Sequence, residues 1–118
     1  MPNPIYITID VVQYQIDWNF SQQASSGTLT IDVNGSQVVY TTSSNGGYLL
    51  LDPGDYVEVS ISATAQSPLI AEASLLVEDD VIGVLYNNAS TGYPTVTETY
   101  GPYYPSGSGD IIAQSYEY

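Results

Sequence analysis

The sequence predicts an all-β fold, an antiparallel β-sandwich of eight or nine strands, and three observations carry that prediction. Apolar residues recur with a period of two along most of the 118 residues, the spacing that puts alternate side chains on one face of a strand. Turn signals separate these runs roughly every 8–12 residues, as in small sandwiches. No window holds a helical period, and the abundant Val, Ile, Thr and Tyr are the residues that fit a pleated, half-buried surface.

Taken in order, Ile5, Ile7, Ile9 and Val11 point one way while Tyr6, Thr8 and Asp10 point the other, a first half-buried strand. Tyr14, Ile16, Trp18 and Phe20 form a second run, and the break in phase at Val11–Gln13 predicts a bulge or a switch between sheets. Leu29, Ile31 and Val33 lead into Asn34-Gly35, after which Val38, Val39 and Tyr40 resume. Asn-Gly between two such runs predicts a tight hairpin, because both turn residues must tolerate positive φ. Asn45-Gly46-Gly47 is read as the end of that strand. Tyr48–Leu51 is then a short apolar strand that stops at the turn Asp52-Pro53-Gly54-Asp55. Val57, Val59, Ile61 and Ala63 make one inward face, and Leu69, Ala71, Ala73, Leu75 and Val77 another. Val81–Tyr86, Thr95–Tyr100 and Ile111–Tyr118 complete the strands. Gly101–Gly109 is rich in Pro, Gly and Ser and reads as a loop or linker before the C-terminal strand.

The stretch Ser26–Ala65 (strand, Asn-Gly turn, strand, short apolar strand, Pro-Gly turn, long alternating strand) resembles immunoglobulin-like and fibronectin-like modules of bacterial surface and phage structural proteins. The resemblance covers about a third of the chain and rests on patterning, without the Cys and Trp landmarks of antibody domains. It implies an immunoglobulin-like sandwich; a jelly roll, which eight strands also satisfy, is the alternative. The length fits one domain spanning residues 1–118.

Composition excludes more than it assigns. Thirteen Asp and Glu stand against no Lys, Arg, His or Cys, for a formal net charge of −13, where an average domain is about a quarter charged with both signs present. No thiol, amine or imidazole is available as nucleophile, base or soft metal ligand, so the chain reads as a non-enzyme. A glycosidase would need two carboxylates facing across a cleft, and Asp17, Asp32, Glu58 and Glu72 read instead as the polar outer faces of strands. Nucleic acid and anionic membrane are excluded as partners, since both are held by Lys and Arg. No basic, apolar leader is visible at the N-terminus. Without cysteines there is no disulfide framework to report on compartment.

Two sets of residues remain as candidates. Glu78-Asp79-Asp80 and Asp52-Pro53-Gly54-Asp55 are acidic turns whose oxygens, Asp79, Asp80, Asp52 and Asp55, suit calcium, although turn chemistry alone accounts for Asp there. No other cofactor is implied. Twelve Tyr and one Trp stand against a single Phe. Such rings offer large, rigid, amphipathic area for interfaces or for stacking on sugars. Trp18, Tyr93, Tyr103, Tyr104, Tyr116 and Tyr118 are the interface or binding candidates. Three Asn-X-Ser sequons begin at Asn19, Asn34 and Asn88.

The expectation is a structural or assembly protein of an extracellular fibre or a phage particle, located outside the cell or on a virion. It would self-associate through neutral Tyr/Ser/Thr-rich surfaces, or by adding its N-terminal or C-terminal strand to a neighbour's edge. The alternative is a carbohydrate-binding or adhesion module, with calcium assisting.

Overall fold

The structure is a computed structural model, and it describes residues 13–66, 69–78, 83–89 and 95–118. Nine strands follow in chain order: β1 (Tyr14–Gln22), β2 (Ser26–Val33), β3 (Ser36–Thr41), β4 (Asn45–Leu51), β5 (Val57–Thr64), β6 (Ala71–Glu78), β7 (Gly83–Ala89), β8 (Thr95–Tyr103) and β9 (Gly109–Glu117). They form a five-stranded sheet ordered β4-β1-β9-β6-β7 and a four-stranded sheet ordered β3-β2-β5-β8. The predicted strand Ile5–Val11 and the phase break after it lie outside the described residues, except for Gln13.

Alternation fixes which side each strand buries. Along β5, Val57, Val59, Ile61 and Ala63 are all buried while the residues between them are half-buried. Ile16 and Phe20 of β1, Leu29 and Ile31 of β2, Leu75 of β6 and Ile111 of β9 meet them from the other strands in one apolar core. Burying each such side chain contributes about 1.5–3 kcal/mol. The Asn34-Gly35 hairpin forms as the sequence predicts, with φ of 52° and 82° and Val33 paired with Ser36.

The outer face of the β2-β5-β8 sheet is polar and, beyond the Asp32–Glu58 pair at one end, uncharged. Thr28 and Ser62, Ser60 and Thr99, and Thr64 and Thr95 share hydroxyl hydrogen bonds of 2.8, 2.9 and 2.9 Å between neighbouring strands. Cross-strand hydroxyl pairs of this kind stabilise a sheet directly. In a chain with no cation they supply a wettable face that adds nothing to the charge.

Three expectations need correction. The sandwich is not antiparallel throughout: β1 and β9 run parallel, Trp18 opposite Ile111 and Phe20 opposite Ala113. The residue period of a strand is the same in either direction, so alternation could not reveal this. Asn45-Gly46-Gly47 does not end the preceding strand but opens β4, paired with β1. A Cβ on Gly47 would lie 3.0–3.1 Å from three atoms of the Trp18 indole, so the glycine makes room for a ring. The predicted linker at 101–109 is also shorter. Gly101, Pro102 and Tyr103 belong to β8, and only 104–108 connect it to β9. Gly101 takes φ +124°, and a Cβ there would meet the Val57 carbonyl oxygen at 2.6 Å. The strand accommodates these residues with a register shift opposite Val57–Val59.

The two sheets approach closely at Gly27. A Cβ there would stand 2.5 Å from Ser115 Oγ and 2.9 Å from the Ser62 carbonyl oxygen. Ser115 is fully buried and its hydroxyl has no hydrogen-bond partner. Gly27→Ala is therefore expected to lower stability by about 1–3 kcal/mol, the usual effect of overpacking a core. Ser115→Ala removes an unsatisfied buried hydroxyl and should leave stability unchanged or raise it. Urea denaturation of the two variants, read as a shift in midpoint at constant slope, checks both.

Candidate functional site

The acidic turn at Asp52–Asp55 is held together by its own hydrogen bonds. Asp55 Oδ2 accepts the Asp52 backbone N–H at 2.8 Å, and Asp55 Oδ1 accepts the Asn34 side-chain amide at 2.9 Å. Asn34 Oδ1 accepts the Tyr56 N–H at 3.1 Å, which ties this turn to the β2–β3 hairpin. Asp52 Oδ1 accepts the Gln13 side chain at 3.2 Å. The Asn34 amide first, and the Asp52 N–H second, hold the Asp55 carboxyl below its ordinary 3.8. Both Asp55 oxygens are thus committed to fixing the turn. Asp79 and Asp80, the other calcium candidates, lie outside the described residues. Among the described residues no cluster of three or more Asp, Glu, His or Cys is placed to hold a metal.

Carboxylates do meet in pairs. The parallel β1–β9 register sets Asp17 beside Asp110, at a shallow depression of about 430 Å³ also lined by Gln15, Ser108 and Gly109. Gln15 donates its side-chain amide to Asp17 at 2.9 Å. On the other sheet Asp32 stands opposite Glu58. Like charges directly opposite destabilise a sheet.

The structure scatters the aromatic candidates rather than gathering them. Trp18 is half-buried on the core-facing side of β1, over Gly47. Tyr103 packs against the core and its ring meets Tyr100 at 6.1 Å. Tyr104, in the β8–β9 connection, is 60% exposed and leans on Tyr56 at 5.6 Å. Tyr116 and Tyr118 stack at 6.5 Å, and the Tyr118 hydroxyl donates to the buried Glu72 at 2.6 Å. Burial, and then the charge of Glu72, raise the Tyr116 phenol above its ordinary 10.0. Tyr93 lies outside the described residues.

What the aromatic count missed is a flank. Residues 33–51 form the longest run without a charged side chain in this acidic chain, and they supply β3 and β4, the edge strands on one side of the sandwich. Six large apolar side chains are exposed among the described residues. Four of them, Val38, Tyr40, Tyr48 and Leu50, are on these two strands. The signal was present in the sequence as a gap in charge, but only strand order shows that it falls on an edge.

The edges are not equally protected. β8 carries Pro102, a register shift and, on its core-facing side, Glu98, each a device that discourages pairing with another chain. β3 carries a bulge, with Val38 as the extra residue opposite Ile31–Asp32. β7 packs against β8 and so closes the opposite flank. β4 keeps an unbroken register with β1 over all seven residues and has no Pro, no bulge and no charge.

Comparison with protein-family models, curated proteins and solved structures gives no match.

Asp55 makes a pH prediction. Its folded pKa is depressed, so its contribution to stability is present above the unfolded value and is lost as pH falls through the folded one. The stability difference between wild type and Asp55→Ala is expected to be constant above about pH 5 and to shrink as the solution is taken below the ordinary carboxylate range. Denaturant midpoints of both proteins across that range check it; a difference that widened toward acid would refute it.

Proposed function

We propose that this protein is a non-enzymatic structural subunit that assembles with copies of itself, in an extracellular fibre or a phage particle. The observation that carries this reading is the uncharged, apolar flank of β3 and β4 on a molecule of net charge −13. Copies of like charge repel, so contact is favoured where charge is absent. A soluble monomer rarely leaves a sheet edge unprotected with large apolar side chains exposed along it. The composition fits life outside a cell, since a chain without Lys or Arg offers no site to trypsin-like proteases. An immunoglobulin-like arrangement is the finer reading: β2 and β5 are neighbours in one sheet and β6 and β7 in the other, as B–E and F–G are in that fold, while β3 beside β2 and β4 in the other sheet depart from it.

A second reading, a carbohydrate-binding or adhesion module, is favoured by Tyr104, exposed and braced by Tyr56 beside the β8–β9 connection. Tyrosine faces of this kind stack on sugars.

Screening governs the test. Raising NaCl shortens the reach of the −13 charge, so light scattering and electron microscopy should show assemblies that grow as salt rises. Tyr48→Asp with Leu50→Asp should abolish them while leaving the far-ultraviolet circular dichroism unchanged. Dispersed monomers at every salt concentration, or assemblies that dissolve as salt is added, would overturn the reading.

A further inference from the structure

The edge of β4 leaves apolar surface unfinished. Leu49 and Trp18 sit on the core-facing side next to this edge and are only partly buried, although they pack on the core. On the other side of the strand Tyr48 and Leu50 are 63% and 52% exposed. One further strand, alternating in polarity and laid along β4, would cover Leu49 and Trp18 with its apolar side and continue the outer face with its polar side.

The chain contains a segment of that kind outside the described residues. Ile5, Ile7, Ile9 and Val11 alternate with Tyr6, Thr8 and Asp10, and seven residues of strand span about 23 Å, the length of the seven-residue β4. β1 begins at Tyr14, opposite the last residue of β4, Leu51. On its other side β1 first pairs at Ile16, with the first residue of β9, Gly109. Among the described residues neither neighbouring strand extends past the start of β1. With the Ile side chains turned toward the core, Asp10 faces solvent and brings no charge into the contact.

We infer that residues 5–11 of one copy add as a sixth strand to the free edge of β4 in a second copy, extending its β4-β1-β9-β6-β7 sheet. The inference rests on the self-assembly reading above and names its contact. Main-chain hydrogen bonds to an open sheet edge supply affinity, and alternate side chains supply register. Because the donor segment and the acceptor edge are on different strands of the chain, each copy gives one and receives one. Two copies that exchange segments reciprocally close a two-fold dimer; where the exchange runs head-to-tail it propagates into a filament unless a rotation closes it into a ring.

The chain has no cysteine, so engineered thiols report without background. Full-length chains carrying Tyr6→Cys or Thr8→Cys are mixed under assembling salt with chains carrying Tyr48→Cys or Leu50→Cys, then oxidised. The expected result is a disulfide joining two different chains, and none when the second thiol is at Tyr40→Cys on β3 or Asn88→Cys on β7. Links that form at Tyr40 or Asn88 in preference to 48 and 50 overturn the inference. So does a Thr8→Cys, Tyr48→Cys double variant that closes within one chain independently of dilution. Trp18, the one tryptophan, gives a second readout: its emission should shift to shorter wavelength as full-length chains assemble, and a chain lacking residues 1–12 should neither assemble nor show the shift. A truncated chain that assembles as the full one does defeats this inference alone. A full-length chain that never assembles defeats the reading on which it rests.

Discussion

Every electrostatic arrangement among the side chains of this molecule has to be made without a cationic residue. A carboxylate here can be stabilised only by neutral donors, and the structure supplies them repeatedly: the Asn34 amide and Asp52 N–H for Asp55, the Ser25 hydroxyl and Gln66 N–H for Glu117, the Tyr118 hydroxyl for Glu72. The two bonds to Glu117, the Ser25 hydroxyl foremost, draw its pKa below the ordinary 4.5. Hydrogen bonds to an ionised group are stronger than neutral ones, so these contacts do local work that ion pairs do elsewhere. They remove none of the total charge. Repulsion is left to be managed by distance, by solvent and by keeping one flank free of carboxylates.

That constraint shapes the surface as much as the interior. Most of the outer face of β2, β5 and β8 is a lattice of Ser and Thr hydroxyls bonded across strands, which keeps it wet without adding to the charge; the Asp32–Glu58 pair is confined to one end. The edges are treated differently. Where Glu98 and Pro102 guard β8 and a bulge bends β3, β4 has neither guard nor bend. Proteins usually protect sheet edges, and leaving one open beside half-covered Trp18 and Leu49 gives that side a character unlike the rest.

Much of the fold was legible because it rests on local rules. The Asn34-Gly35 hairpin, the inward face of β5 and the Asp52–Asp55 turn follow from φ preferences and the two-residue period, which neighbouring residues carry by themselves. Partner choice is not local. Nothing in Ile16–Phe20 or Ile111–Ser115 states that these segments lie side by side and parallel, and Gly46-Gly47 looks like the end of a strand until Trp18 is seen to need the space. The candidate site follows the same division. The count of Tyr and Trp drew attention to rings that turn out to be dispersed, several of them engaged with the core or with each other. The informative pattern was the missing charge across 33–51, whose meaning depends on strand order.

The position of β9 has a consequence for how the domain comes into being. Gly109–Glu117 is the central strand of its sheet, with β1 on one side and β6 on the other. β1 joins that sheet's larger part only through β9, so the earliest-made described strand waits for the last. During synthesis the β2-β3-β5 strands can pair as soon as they emerge, while the second layer has no middle until β9 leaves the ribosome. Contacts so distant in sequence close slowly, and exposed strands are vulnerable while they wait. The net negative charge of the chain opposes contact between such half-finished copies, so the excess of carboxylates also guards the domain while it is being made.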